Sequence, residues 1–494
     1  MKNESQEFYK SKTGYSLKWN SILSFSNLIV SFFVGIVLAR LLDPEDFGLL
    51  AMVTVFVAII SLFINAGTGS GLIQKKEISQ ADLSTVFFYN IGIGFIAFIL
   101  LFILAGPIAT FYDEPAVKTL VRVLGLSPLI ASFSIVQMNL MSRTVRLKNR
   151  TLAQLGGQIG AAMLGIGMAL TGFGVWALVG SNLASRTIST VLYWVQGKWR
   201  PSWTFSKSSF QEIWGYSSKI LYGNILAQVM TRLDLLIVAK FVGADIVGLF
   251  FKGRNLGRIP ATSLGTIITK SYFPILSRMQ DDLTSFRQFF NRQGKMIAFL
   301  TVPIFMALTI LSVDVIIFLF GAKWEPAGVF LAWTAISGFL YANNAFKIYA
   351  CNALGRSDLT LRRSKHMVPV RIVLYVFIIL ILKDVQPIYF LYIEVAIRAI
   401  QYFWVTGDLS RLLETFYMDQ IILVLPYLAV GILSTVPAYY SLSYLDLEIA
   451  RISVYLLIFI PLYLTFLYFI KDEIALSTIQ NTIKKIKSIK LIYS

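Results

Sequence analysis

One cysteine, Cys351, and one histidine, His366, are all that 494 residues offer of either type. A lone thiol excludes a disulfide framework within the chain, and a lone imidazole leaves no material for a histidine-based triad or a His/Cys metal site. Charge is scarce too: Asp, Glu, Lys and Arg together make up 14%, against about 25% in soluble domains. The alternating ten-residue segments of a membrane β-barrel are missing. A cleavable leader is not expected, because the polar first sixteen residues run into a full-length apolar span without a small-residue cleavage site. Long loops are also lacking on the side opposite the basic ones, none exceeding about fifteen residues. That argues against an enzyme whose chemistry is done in a large loop outside the membrane.

What is present is apolar. Hydrophobic residues account for 56% of the chain, the mean hydropathy is +0.70, and runs long enough to cross about 30 Å of hydrocarbon recur throughout. The pattern predicts an all-α polytopic membrane protein with fourteen spans: 17–39, 47–68, 83–105, 119–141, 152–172, 174–195, 216–241, 246–273, 295–320, 327–353, 367–383, 387–407, 419–440 and 449–470. Ser127-Pro128 interrupts the fourth and charge crowds the eighth, so twelve is the alternative count.

The net charge of +18 is distributed as membrane topology requires rather than as nucleic-acid binding would. Basic residues fill alternate loops: Lys75-Lys76, Arg143 to Arg150, Lys198 to Lys207, Arg278 to Arg292, Arg356 to Lys365, and the tail around Lys484 to Lys490. The loops between them ("DPED", "FYDEP", "VGAD") are short and acidic or neutral. The positive-inside rule puts both termini and every basic loop in the cytoplasm.

The chain also repeats itself. "LARLLDPEDFGLL" (38–50) returns as "VAKFVGADIVGLF" (238–250), with Gly48-Leu49 falling on Gly248-Leu249. At an offset of 212, Arg186 falls on Arg398. The expected organisation is a cytoplasmic segment 1–16, an N-terminal six-helix lobe 17–195, a basic Trp-rich linker 196–215, a C-terminal six-helix lobe 216–407, two further spans within 419–470, and a basic tail 471–494. Both lobes have the same orientation, so their pseudo-twofold axis is expected along the membrane normal, with a binding site near midplane and a rocking motion.

Charges inside spans are expensive and need a partner, water or a task. Nearest mid-depth are Arg186, Arg232, Asp234, Arg258, Glu394 and Arg398; Arg254 lies one turn from Arg258, as Glu394 does from Arg398. Arginines outnumber carboxylates there, which implies a water-filled, anion-receiving cavity, and guanidinium matches phosphate oxygens in bidentate geometry. The candidate substrate-binding residues are Arg186, Arg254, Arg258, Arg398, Lys270 and Arg143. Asp234 and Glu394 are candidates for coupling to H⁺ or Na⁺, the alternative being internal ion pairs. Lys270, Lys347 and Arg371 are also read as snorkelling side chains. No metal and no organic cofactor is expected. Gly156 and Gly160 have GxxxG spacing, which is read as close helix packing.

Several stretches resemble a known family: "RLDLLIVAKFVGADIVGLF" (232–250), "RIPATSLGTIITKSYFPILSRMQDD" (258–282), "FGAKWEPAG" (320–328) and "NALGRSDLTLRR" (352–363), with "GFGVWALVG" (172–180) and "KWRPSWTFS" (198–206). They are similar to the polysaccharide transporter family, in particular its exporters for lipopolysaccharide, colanic acid and teichuronic acid. That family belongs to the superfamily containing multidrug extruders and the lipid II flippase. The resemblance implies two six-helix lobes working by alternating access. It implies a flippase carrying undecaprenyl-diphosphate-linked oligosaccharide to the outer leaflet of a bacterial inner membrane. Its partners would be membrane lipids, a polysaccharide polymerase and a chain-length regulator. A multidrug or cation exporter of the same superfamily, or a membrane glycan polymerase or ligase, stays open as an alternative.

Overall fold

The computed structural model describes residues 26–65, 72, 75, 77–144, 147–382 and 385–477. The expected segments 1–16 and most of 471–494 lie outside the described residues. Within them the regular structure is helical. In chain order the α-helices are α1 (Ser26–Leu41), α2 (Pro44–Asn65), α3 (Gln80–Tyr112), α4 (Pro115–Leu124), α5 (Leu126–Ser132), α6 (Ile135–Arg143), α7 (Leu147–Leu170), α8 (Val175–Gln196), α9 (Lys207–Phe241), α10 (Ala244–Ile267), α11 (Phe273–Arg278), α12 (Leu283–Ile310), α13 (Ser312–Phe320), α14 (Ala327–Ala353), α15 (Ser357–Phe377), α16 (Pro387–Leu412), α17 (Tyr417–Ile422), α18 (Leu425–Tyr440) and α19 (Glu448–Phe469).

Each of the fourteen predicted spans has a helical counterpart, and among the described residues nine are long and apolar enough to cross a membrane. The boundaries differ where polar residues or proline intervene. The fourth span is three helices, α4 to α6, broken at Gly125 and at Phe133-Ser134. The seventh starts at Lys207 rather than 216, because Ser206 caps it by accepting from Ser209 N. The eighth passes through a π-helical segment, Ile268–Tyr272, into α11. The ninth begins at Leu283, capped by Asp282, and is divided at Leu311 into α12 and α13.

Packing divides the chain into two compact units, residues 1–251 and 252–494. In the first, α9 packs on α2 and α3. The small-residue stretch of α7 does what its composition suggests. Ala153, Gly157, Ala161, Gly165 and Ala169 are buried at every fourth position, and a Cβ on Gly157 would fall 1.9 Å from Ser189 Oγ of α8. The α7–α8 turn uses Gly172 and Gly174 at φ +80° and +53°, a region side chains avoid.

The repeated motif has a direct structural meaning in this unit. A Cβ on Gly48 would lie 1.6 Å from the Ala244 carbonyl oxygen, and one on Gly248 would lie 1.8 Å from that of Pro44. The first turns of α2 and α10 therefore cross backbone to backbone, each glycine admitting the other helix. Nearby, Asp113 ends α3 in the left-handed region and pairs with Lys240 at 3.1 Å. Burial, and after it the Glu45 carboxylate, push the Glu114 carboxyl above its ordinary range.

The linker is docked on the first unit. Trp199 Nε1 donates to Gln80 Oε1 (2.8 Å), Gln137 Nε2 to the Trp199 carbonyl (2.8 Å), and Ser206 N to Thr85 Oγ1 (2.8 Å). Phe87 meets Trp194 and Trp199 edge-on, and Trp203 stacks on Phe88. Lys75 donates to Asp82 and to Glu212 at 3.0 and 2.9 Å, and the bond to Glu212 is the main reason its ammonium is held above the ordinary lysine range. Truncating Trp199 removes both a ring from the cluster and the indole donor. Trp199→Ala is expected to destabilise the unit by about 3–5 kcal/mol, seen as a lower thermal midpoint in detergent.

In the second unit α14 packs on α11, α12, α13, α15 and α16. Phe299 and Val302 of α12, Phe346 of α14, Tyr427 of α18 and Tyr463 of α19 belong to one buried cluster. The last two spans are thus integral to this unit: Tyr463 Oη donates to the Phe299 carbonyl (3.2 Å), and Arg451 Nε donates to Asp314 Oδ1 (2.6 Å). "FGAKWEPAG" buries Trp324 completely and places Phe320 over the Lys252 ammonium at 4.6 Å. "NALGRSDLTLRR" supplies Arg362 and Arg363, which donate to the two oxygens of Asp408, each at 2.8 Å. Arg363 and Asp408 are both buried.

Candidate functional site

The site is carried by α10, α14 and α16 within the second unit. On α16 the residues 394, 398, 402, 406 and 410 are Glu, Arg, Tyr, Thr and Ser, a polar line at four-residue spacing on a helix otherwise rich in Ile, Phe and Val. Helix α16 packs closely on α14, which turns Ser337, Tyr341 and Asn344 toward that line.

Glu394 is the focus. Its Oε1 accepts from Arg398 Nη2 (2.8 Å) and Nε (3.2 Å), one turn along the same helix. Its Oε2 accepts from Arg254 Nη2 (3.2 Å) and faces Arg258 Nη2 at 3.6 Å. Arg254 and Arg258 reach it together because four residues on α10 return to one face. Arg398 is fixed further: Nε donates to Ser337 Oγ (2.8 Å), its guanidinium lies 4.9 Å from the Tyr341 ring centre, and its carbonyl accepts from Asn344 Nδ2 (2.9 Å).

Three guanidiniums thus converge on the Glu394 carboxylate. Side-chain exposure sorts them: 8% for Arg254, 22% for Arg398 and 33% for Arg258, with Glu394 at 7%. Arg254 and Glu394 form the buried base of the cluster. Arg398 and Arg258 present the accessible face, and Arg258 makes the longest contact with the carboxylate. An anion arriving there meets planar donors already held in place. Glu394, read from the sequence either as an ion-coupling candidate or as a member of an internal ion pair with Arg398, is ion-paired with Arg398 and with the two arginines of α10.

The other predicted site residues are placed elsewhere. Lys270 is exposed on the π-helical segment, outside the arginine cluster. In the first unit Arg143 donates to the carbonyls of Leu72 (3.0 Å) and Lys75, anchoring the loop after α2. Arg186 is exposed on α8 and has no ion pair among the described residues. Asp234 is buried on α9, with Oδ1 accepting from Leu235 N (2.8 Å). Lys347 does not snorkel: its Nζ is buried against Thr406 Oγ1 (2.6 Å) and the Tyr402 ring (3.7 Å). Ser337, Tyr341 and Asn344 were not singled out from the sequence, since neutral polar residues and tyrosine are common in spans. The four-residue polar spacing on α16 was a signal that pointed to the facing helix.

Residues 37–328 match the model of the family described as "Polysaccharide biosynthesis protein". The chain belongs to that family. Within it, this polysaccharide biosynthesis protein is 25% identical over 338 residues to the lipopolysaccharide biosynthesis protein WzxC of Escherichia coli K12, covering 67% of this chain and 68% of the relative. It is 26% identical over 348 residues to the teichuronic acid biosynthesis protein TuaB of Bacillus subtilis 168, covering 69% and 71%. Its fold is similar to that of the lipid II flippase MurJ in an inward closed conformation, with a TM-score of 0.69 and 16% identity over 92% of this chain and 99% of the other. This family member is a multi-pass membrane protein, and its fold is also similar to that of a multidrug resistance MATE family transporter in an inward-facing conformation, with a TM-score of 0.58 and 14% identity over 78% of this chain and 95% of the other.

Proposed function

We propose that the protein flips a polyprenyl-diphosphate-linked oligosaccharide from the cytoplasmic to the outer leaflet of a bacterial inner membrane, by alternating access, for the synthesis of a cell-surface polysaccharide. The observation that carries this reading is the gathering of three guanidiniums, two of them partly exposed, around the Glu394 carboxylate. A cation exporter needs the opposite sign at its binding site, whereas a diphosphate is the natural occupant of fixed, partly exposed guanidiniums. The relatives' roles in lipopolysaccharide and teichuronic acid synthesis support the same substrate class.

The test is reconstitution of the full chain in liposomes with lipid-linked oligosaccharide extracted from producing cells, followed by an impermeant lectin that reports leaflet. Protein-dependent appearance of glycan on the far side is expected. Arg258→Ala should slow it about ten- to hundredfold, as expected for a charge-assisted bond worth about 1.5–3 kcal/mol, and Arg258→Lys should restore only part of the rate. No glycan movement, together with efflux of a cationic dye, would put the protein among cation exporters.

Orientation follows from the basic loops. In intact cells a thiol at Lys365→Cys, an exposed position, is expected to resist an impermeant reagent, whereas Asp113→Cys is expected to react. Arg363 is unsuitable for this measurement because it is buried on Asp408. Outside labelling at 365 would invert the topology.

A further inference from the structure

The largest unexplained charge in the second unit is Lys347. It is 3% exposed, on α14, and has no ion-pair partner among the described residues. Its Nζ donates to Thr406 Oγ1, whose own proton goes to the Tyr402 carbonyl (2.7 Å), and stands over the Tyr402 ring. Burying an ammonium with no carboxylate beside it is costly, and a lysine can avoid that cost by becoming an amine. Both forms can donate to Thr406, while only the ammonium is attracted by the ring face. The site is therefore built so that either form retains a partner.

We propose that Lys347 is a proton-binding site that loads and empties once in each transport cycle. The inference rests on the transport reading above, and it assigns the coupling role to a residue other than the two carboxylates suggested by the sequence. In the emptying step one N–H bond breaks, its electron pair stays on Nζ as the amine lone pair, and the proton passes to water; loading is the reverse.

The surroundings fit a state-dependent site. On its own helix the titratable neighbour is Cys351, one turn away and fully buried. Helix α16 presents Tyr402 and, beyond Thr406, Asp408, which is neutralised by Arg362 and Arg363 of α15. Helix α12 presents Thr301, accepting from Asn343, and Phe290, stacked on Phe346. The π-helical segment presents Tyr272, edge-on to Phe346 at 5.9 Å, and α11 presents Phe273 against Tyr349. That π segment directly continues α10, the helix bearing Arg254 and Arg258, and π segments are frequent where helices serve a functional site. On α14, Asn344 lies one turn from Lys347 and holds the carbonyl of Arg398. The arginine cluster is thus linked to helix α14, which carries Lys347, through Asn344 and through the π segment packed on Phe346.

The experiment uses the full chain in liposomes loaded with the pH indicator pyranine, with extracted lipid-linked oligosaccharide as the probe and lectin accessibility measured in parallel. Wild type should move lipid and protons together. Lys347→Arg, charged at every accessible pH, and Lys347→Gln, never charged, should each bring proton movement down to that of protein-free liposomes while slow lipid exchange persists. Size-exclusion profile and thermal midpoint identify the variant that stays folded. Wild-type proton movement in either folded variant overturns the proposal and leaves Lys347 a static pin on Tyr402. Lipid movement absent from wild type overturns the transport reading instead, and the coupling role with it.

Discussion

Glu394→Ala is expected to leave little folded protein. The substitution strands Arg254, Arg258 and Arg398 without their common counter-ion, and breaking a buried pair from one side costs about 3–5 kcal/mol. That is a large part of a total stability of about 5–15 kcal/mol. Glu394→Gln keeps one acceptor oxygen but turns the other into an amide donor facing a guanidinium, and should fall between alanine and wild type. Arg258→Ala contrasts with both. Its guanidinium is one-third exposed and 3.6 Å from the carboxylate, and Glu394 retains Arg254 and Arg398, so the protein should fold and insert normally while transport slows about ten- to hundredfold. The measurement is the fraction surviving as a monodisperse species after heating in detergent. A Glu394→Ala protein that melts like wild type would mean that the arginines are neutralised some other way and that the carboxylate does not organise them.

A second large effect is expected at the helix crossing in the first unit. Gly248→Ala places a methyl carbon 1.8 Å from the Pro44 carbonyl oxygen, and Gly48→Ala places one 1.6 Å from that of Ala244. Overpacked cores commonly lose about 1–3 kcal/mol when side chains can shift. Here the obstacle is backbone, so each variant should lose at least that much and transport should fail with it. Gly92→Ala is the control, because a Cβ there meets nothing within 4 Å, and replacing a helical glycine by alanine favours the helix by up to about 1 kcal/mol. Equal melting of Gly248→Ala and Gly92→Ala would show that the crossing relaxes freely.

Hydropathy made the spans legible because lipid leaves a helix little choice but to be apolar over its whole length. It could not place their ends. Lys207 to Gly215 reads as linker by charge, yet Ser206 caps it into the helix that follows. Likewise "GLSPL" sits inside one apolar run and still divides it into separate helices. Counting charges at depth located Arg254, Arg258, Glu394 and Arg398 and the spacing of each pair on its own helix. The gathering of both pairs on one carboxylate depends on α10 and α16 both packing on α14, and no pattern within a single helix encodes that. Lys347 illustrates the opposite error. Its place near a helix end suggested a side chain reaching for water, but the aromatic face of Tyr402 and the hydroxyl of Thr406 keep it inside.

The glycine crossing also bears on how a duplicated sequence ages. After duplication the two copies drift independently, and a contact made by side chains allows a change on one helix to be compensated on the other. The Gly48–Gly248 contact permits no such exchange, since each absent side chain makes room for main chain, which no codon change on the opposite helix can shrink. Across descendants of the duplication, both positions should therefore stay glycine without covarying. Arg254, Arg258, Glu394 and Arg398 should behave as a set, changing together or not at all. Gly48 and Gly248 are therefore among the positions of the repeated motif least free to change.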